Sequence, residues 1–271
     1  MKPVCIKQSK ARYFAVSLTT NSLPNAYYLA LVLHSDIIVV IIIIVAVWLT
    51  IKARKLTLAG AITGGLLALS LYLGIGLFGL VLLGAFFLTG TVATAWQAGT
   101  KARMGMAQEE KGRRTLGQVL ANGGIAGLIG ILAMIFTEYV YTLALMIAGS
   151  LSAATADTLS SELGTVYGRR FYNCITFKKD QRGLDGVISI EGLGIGVVGS
   201  ALIAVFYCLG FGWSIAWLII VLSGTIGNLA DSVLGATLEQ KGKLSNNMVN
   251  FLNTLVGALA AIGLYAAFDL Y

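Results

Sequence analysis

The feature that most constrains this chain is a succession of apolar runs, each close to 20 residues long and separated by short polar or basic connectors. About 20 consecutive apolar residues are what an α-helix needs to cross a bilayer, and within the hydrocarbon only helices and closed barrels satisfy every backbone hydrogen bond. The runs predict helices at 37–51, 57–73, 75–97, 115–136, 138–163, 187–209, 212–237 and 248–268. The expected fold class is all-α, a polytopic membrane helix bundle of about eight spans over residues 37–271, preceded by an N-terminal segment 1–36 that the pattern does not place. Composition agrees, with 57% hydrophobic and only 11% charged residues. Soluble domains carry roughly 25% charged residues, and the mean hydropathy here is +0.85. A soluble globular domain, a disordered chain and a disulfide scaffold are all excluded.

The formal net charge of +7 sorts along the chain in a way that orients it. Lys52, Arg54 and Lys55, then Lys101 to Arg114, then Arg169, Arg170, Lys178, Lys179 and Arg182, then Lys241 and Lys243 follow alternate spans. The intervening connections near 74, 137 and 211 carry no Lys or Arg. Fifteen of the 19 basic residues therefore share one face, which the positive-inside rule makes cytoplasmic; in a prokaryote the membrane would be the cell membrane. This alternation accounts for the basicity without any nucleic-acid partner. His34 is the single histidine, and Cys5, Cys174 and Cys208 have no metal-type or paired spacing, so a histidine-based metal site is excluded.

Against this background three acids stand out, Asp157, Glu162 and Asp231, which fall inside or at the edge of apolar spans. A carboxylate at the centre of a membrane helix costs at least ~2.5–3.5 kcal/mol, so such residues are usually functional or paired. No Lys or Arg lies within the same spans. At 1.5 Å per residue, Asp157 and Asp231 both lie on the order of 10 Å below the cytoplasmic ends of their helices. Two carboxylates at equal depth without a basic partner suit Mg²⁺, which takes hard oxygen ligands and is often shared between one or two carboxylates and substrate phosphates. Asp157, Asp231 and Glu162 are the candidate metal ligands. Ala156-Asp157-Thr158 recurs as Ala230-Asp231-Ser232, each late in a helix, which suggests repeated helix pairs facing one cleft.

Polar residues cluster at the same face. Arg114, Gln118 and Asn122 open the fourth span, Asn228 lies three before Asp231, and Asn250 opens the eighth. The longest polar connection, Tyr167 to Ile190, carries Arg169, Arg170, Lys178, Lys179 and Arg182 around Thr176, followed by Gly183, Gly186 and Ser189. A basic, glycine-containing loop running into a helix N-terminus is a phosphate-binding arrangement, because unpaired N–H groups and the helix dipole both favour an anion.

These segments resemble the integral-membrane family that includes phytyl-phosphate kinase and transmembrane protein 19. The stretches that carry the resemblance are Gln118 to Gly123, Ala156 to Gly164 with Ser160, Ser161 and Glu162, Gly183 to Ser189, Gly227 to Ala236 around Asp231-Ser232, and Leu244 to Thr254. They run in family order from about 57 to 265. The chain departs at Asn246-Asn247, where the family pattern implies Asn-Asp. The resemblance implies an enzyme that uses CTP to phosphorylate an isoprenyl monophosphate (phytyl or geranylgeranyl) to its diphosphate. It is distantly similar to phosphatidate cytidylyltransferases and prenol kinases. On that reading Asp157, Asp231 and Lys178 are catalytic, and nucleotide and substrate are held by Arg114, Gln118, Asn122, Ser161, Arg169, Arg170, Thr176, Lys179, Arg182, Gly183, Gly186, Ser189, Asn228, Ser232, Asn247 and Asn250. Cytidylyl transfer giving a CDP-lipid is the alternative chemistry. A cation-coupled transporter or lipid flippase is the alternative class. The oligomeric state stays open, with a homodimer among the options.

Overall fold

The computed structural model describes residues 25–105 and 112–268. Among them nine α-helices follow one another: α1 (Asn25–Lys52), α2 (Leu58–Ile75), α3 (Leu77–Ala95), α4 (Ala98–Arg103), α5 (Leu116–Ile135), α6 (Val140–Tyr167), α7 (Ile190–Phe211), α8 (Ala216–Leu234) and α9 (Asn246–Ala267). All but the short α4 are long and apolar enough to cross a membrane, which makes eight such helices among the described residues. The protein is an integral multi-pass membrane protein. A small antiparallel hairpin, β1 (Tyr172–Asn173) with β2 (Val187–Ile188), interrupts the α6–α7 connection. The first candidate span is Ser35–Lys52, close to the expected 37–51; its helix α1 starts earlier, at Asn25, so part of the unplaced N-terminal segment belongs to α1, and residues 1–24 lie outside the described residues.

Glycines with positive φ end two of the spans. Gly76 (φ 76°) separates α2 from α3, and Gly212 (φ 91°) follows α7. The sequence pattern places the first of these breaks at Gly74. That residue is helical instead, because it is the point at which α2 meets the Gly130 backbone of α5. At the opposite, basic end, three helices start on polar caps. Thr57 accepts from Gly60 N at 3.1 Å, and Ser189 accepts from Gly192 N at 3.0 Å. Thr115 and Gln118 form a reciprocal capping box, satisfying helix donors that would otherwise face a dry interior.

Helix α6 is the axis of the bundle, packed against α3, α5, α7, α8 and α9. Its inner residues from Ala144 to Ala156 are small or medium and almost fully buried. Lipid tails are as apolar as leucine, so helix association here relies on close van der Waals packing, which small residues permit. One very close crossing is α6 on α9. A Cβ at Gly149 would lie 2.6 Å from the Gly257 carbonyl oxygen, and one at Gly257 would lie 2.6 Å from the Ala153 Cβ. By contrast α1 packs principally on α2 and exposes Ile37, Ile38, Ile41, Ile42 and Ile44 to the bilayer. At its far end α1 is fixed by the Tyr72 hydroxyl donating to Asp36 Oδ1.

Overpacking a crossing this close costs about 1–3 kcal/mol, occasionally more. Gly257→Leu is expected to lower the midpoint of thermal unfolding in detergent by several degrees. Gly263→Leu, on the same helix where a Cβ would find no atom within 4 Å, is expected to leave the midpoint unchanged. Thermal size-exclusion traces of the two variants check this.

Candidate functional site

The basic ends of α5, α6, α8 and α9, together with the β1–β2 hairpin, enclose a polar cavity of about 340 Å³. Asp157 and Asp231 both line it, and their carboxyl groups lie within hydrogen-bonding reach of each other. The expected pairing of the two recurring tripeptides is therefore real in space. α6 and α8 run side by side, and each delivers its acid at the same level. Asn253 Nδ2 of α9 donates to Asp231 Oδ1 at 3.2 Å, steadying one carboxylate from the third helix. Asn228, one turn before Asp231, reaches the α6–α7 seam because Gly196 has no side chain there: a Cβ would meet Asn228 Nδ2 at 2.7 Å.

Glu162 also lines the cavity, and there it has a protein partner. Lys101 of α4 folds back under the bundle and pairs with Glu162 Oε2 at 2.5 Å, with both side chains more than nine-tenths buried. Lys101 Nζ also donates to the carbonyls of Ala93 and Thr94, and Thr94 Oγ1 donates to Glu162 Oε1 at 3.0 Å. A carboxylate so engaged balances a buried lysine. No group of three or more His, Cys, Asp or Glu that could hold a metal ion occurs among the described residues. Asp157 and Asp231 are the juxtaposed pair among the acids that line the cavity.

Of the remaining expected residues, Arg114, Gln118, Asn122, Ser161, Gly183, Gly186, Ser189, Asn228, Ser232 and Asn250 all line the cavity. Arg114 is held rigidly. Its backbone exchanges hydrogen bonds with Lys55 and Thr57, at 2.9 and 3.1 Å. Its guanidinium stacks over Phe86 at 5.3 Å and Phe87 at 5.9 Å. Burial lowers its pKa while the Glu162 charge opposes the shift, and an arginine in this situation stays cationic. Gln118 lines the cavity with its Oε1 already accepting from Thr115 N at 2.9 Å, so its amide N–H₂ is the group left to face a ligand. The hydroxyls of Ser161 and Ser232 donate to carbonyls one turn earlier in their own helices.

Arg169, Arg170, Thr176, Lys178, Lys179, Arg182 and Asn247 do not line the cavity. The hairpin explains most of this. Its outgoing limb turns away after Asn173, whose side-chain oxygen accepts from Ile175 N and Thr176 N, and Phe177 adopts φ 54°. Lys178 and Lys179 are thereby exposed at the tip. Arg182 is committed elsewhere, donating to the Gly168 carbonyl at 2.9 Å and stacking on Phe171 at 4.7 Å. The returning limb, Gly183 to Ser189, faces inward, joined by Phe171 at the start of the outgoing one. It is held by Gln240 Nε2 donating to the Asp185 carbonyl at 2.6 Å and by Cys174 N donating to the Gly186 carbonyl at 3.0 Å, while Cys174 Sγ donates to the Ser232 carbonyl at 3.2 Å. Gly186 (φ 71°) lies directly against Ala236, where no side chain fits. On α9 the cavity takes Asn246 and Asn250, one turn apart and bonded to each other at 3.1 Å, while Asn247 points at Gly117 of α5.

The cavity also contains acids that the sequence pattern does not single out, Asp185 and Glu239. Burial raises the pKa of Asp185. Glu239 follows Asp231 by eight residues, a spacing that returns to the same helix face, although here a π turn at Gly235–Glu239 intervenes. Lys101 had no comparable signal, since it meets Glu162 across 61 positions of sequence.

The model of the integral membrane protein family DUF92 matches residues 40–258. The chain belongs to that family. It is 36% identical over 227 residues to the uncharacterized membrane protein MJ0933 of Methanocaldococcus jannaschii, covering 83% of this chain and 92% of that one. It is 32% identical over 194 residues to the chloroplastic protein VTE6 of Arabidopsis thaliana, covering 69% of this chain and 58% of that protein's length. Identity to the uncharacterized membrane protein sll0875 of Synechocystis is 30% over 210 residues, covering 75% and 80% of the two chains. No solved structure matches.

A buried ion pair that loses one partner leaves an uncompensated charge and costs about 3–5 kcal/mol, whereas replacing both partners by apolar groups is often neutral. Lys101→Met is therefore expected to destabilise the DUF92 protein strongly, and Lys101→Met with Glu162→Met to recover most of the loss. A double-mutant cycle of unfolding midpoints in detergent reads this out.

Proposed function

We propose that this protein catalyses Mg²⁺-dependent phosphoryl transfer from CTP to an isoprenyl monophosphate, with the basic end of the bundle facing the cytoplasm. The observation that carries the reading is the pair of facing carboxylates, Asp157 and Asp231, at the floor of a polar cavity that also presents Arg114 and the N-terminus of α7. The family resemblance supplies the nucleotide and the acceptor class, and the relationship to VTE6 favours an enzyme of that kind.

The donor set fits Mg²⁺. The ion favours one or two carboxylates supplemented by substrate phosphates over a full protein cage, and two carboxylates this close repel each other unless a cation or a shared proton lies between them. Asp157 and Asp231 would hold the ion, which when bound supplies neutralising charge to the phosphates. Arg114 adds a fixed positive charge at the wall, and the Ser189-capped start of α7 offers backbone N–H groups to an anion. The exposed Lys178, Lys179, Arg169 and Arg170 form a positive rim that concentrates nucleotide at the mouth. In the transfer, an oxygen of the acceptor phosphate bonds to the γ-phosphorus while the bond from that phosphorus to the β–γ bridging oxygen breaks. CDP leaves with the electron pair. The acceptor is already an anion, so no hydroxyl needs a base, and positioning with charge neutralisation suffices.

The test uses purified protein in detergent with phytyl monophosphate, Mg²⁺ and CTP labelled separately at the α and γ positions. Label from the γ position is expected in the lipid. α label in the lipid would make the enzyme a cytidylyltransferase, and no transfer from any nucleotide would remove the enzymatic reading. Asp157→Asn and Asp231→Asn should each reduce turnover at least 100-fold without loss of monodispersity, and near-normal activity of either would defeat the shared-metal arrangement.

Because Arg114 lines the cavity and Lys178 stands on the rim, the two should differ in kind. Lys178→Ala should raise the apparent KM for CTP a few-fold, with an effect that fades as salt screens the rim. Arg114→Gln should lower kcat/KM by ten-fold or more at every ionic strength.

A further inference from the structure

Beside the polar cavity lies a second space of about 270 Å³, bounded by α1, α2, α3 and α5 and lined almost wholly by apolar groups such as Ile43, Val47, Leu67, Leu83 and Phe87. The two spaces share three wall residues, Arg114, Gln118 and Asn122. We propose that this groove holds the hydrocarbon chain of a single-chain lipid phosphate whose head group enters the polar cavity past Arg114. The inference rests on the reading above that the polar cavity handles phosphates, and it places the acceptor's tail.

Three observations point the same way. First, missing side chains keep the groove open. A Cβ at Gly84 would find nothing within 4 Å, and one at Gly64 would touch only Leu56 Cδ1 at 4.0 Å. The adjacent Gly65, by contrast, is filled by Val47 of α1, which a Cβ would meet at 2.8 Å. Helix α1 thus seats on α2 at Gly65 and leaves room beside it. Second, the wall passes from apolar to polar along α5 and its approach. Arg114 stands at the junction, its guanidinium over Phe86 and Phe87, which also line the groove. A cation at the boundary between an apolar slot and a polar chamber matches an anionic head on an apolar tail. Third, the size suits one chain: the groove, at about 270 Å³, stands at the small end of the ~300–1,000 Å³ range of ligand pockets. Exposed Ile42 lies on the groove's lining, which opens the far part to the bilayer and lets a longer chain continue into lipid.

Another apolar groove of about 470 Å³ runs between α3 and α6, lined by Leu88, Val92, Trp96, Leu159, Leu163 and Tyr167 among others. It shares no lining residue with the polar cavity. A chain lying there would not deliver its phosphate to Asp157 and Asp231, which makes this groove the natural control.

The experiment is photolabelling of the purified full chain in detergent with farnesyl monophosphate carrying a terminal diazirine, the labelled peptides being mapped by mass spectrometry. Label is expected on α1, α2 or the Leu80–Phe87 part of α3, and excess unlabelled farnesyl monophosphate should displace it. Gly84→Leu and Gly64→Leu, both confirmed monodisperse, should each cut this labelling at least ten-fold and lower the ratio of phytyl to dimethylallyl monophosphate turnover by a similar factor. Label on Leu88–Trp96 or Leu159–Tyr167 would overturn the proposal, as would undiminished labelling in both leucine variants or equal displacement by dioleoyl phosphatidate. Groove labelling without γ-phosphate transfer would sink the kinase reading and leave this one standing. Transfer with label elsewhere would do the reverse.

Discussion

Everything at the site depends on how closely α8 and α9 approach α6. Two acids on different membrane helices come within hydrogen-bonding reach only if the backbones that carry them nearly touch. That closeness is made by absent side chains. At Gly224 a Cβ would collide with Ser152 and Ser200, at Gly227 with Ala153, and at Gly149 and Gly257 with each other's carbonyls. In a bilayer no hydrophobic drive pulls helices together, so the dispersion contacts won by near-touching backbones hold the bundle. The same contacts set the separation of Asp157 and Asp231. Packing and site geometry are one constraint, which is why the small residues run up both helices to the acids themselves.

The electrostatics divide the buried acids into two kinds. Glu162 is neutralised within the fold by Lys101, with Thr94 completing its hydrogen bonds. Such a pair is costly to bring out of water and contributes little net stability, but once formed it fixes the geometry of the groups around it. Here it ties the amphipathic α4 to α6 beneath the cavity. Asp157 and Asp231 face each other, and Asn253 donates to Asp231 from the neighbouring helix. A fold able to place a lysine against one buried acid leaves two others facing each other, and the proposed metal role rests on that arrangement.

The eight spans and the shared level of Asp157 and Asp231 were legible in the sequence, because hydropathy, loop charge and position along a helix are local properties. Which residues line the cavity was less so, and the departures share a cause. Lys101 lies on a connector where it reads as a positive-inside charge, and only the return of α4 under α6 makes it the partner of Glu162. Lys178 and Lys179 read as phosphate binders because they precede a helix start, yet the turn at Asn173 and Phe177 sends them outward and leaves Gly183 to Ser189 to line the cavity. Asn247 resembles a site residue by motif, but one residue along a helix is a rotation of about 100°, and it is Asn246 and Asn250 that face inward. Helix faces and loop returns are set by tertiary contacts that no window of sequence contains.

Helix α5 then acquires a meaning beyond its span. Its approach is locked by backbone bonds to Lys55 and Thr57, and its first turn is closed by the Thr115–Gln118 capping box. This rigid start carries Arg114, Gln118 and Asn122 along the partition between the polar chamber and the apolar groove. A reaction between a water-soluble nucleotide and a membrane-bound phosphate must bring two incompatible environments within a bond length. A cation mounted on an immobile helix start meets that demand, because its position costs no reorganisation when the charges arrive. The partition, more than the carboxylates alone, is what would distinguish an enzyme of lipid phosphates from a bundle that merely binds a cation.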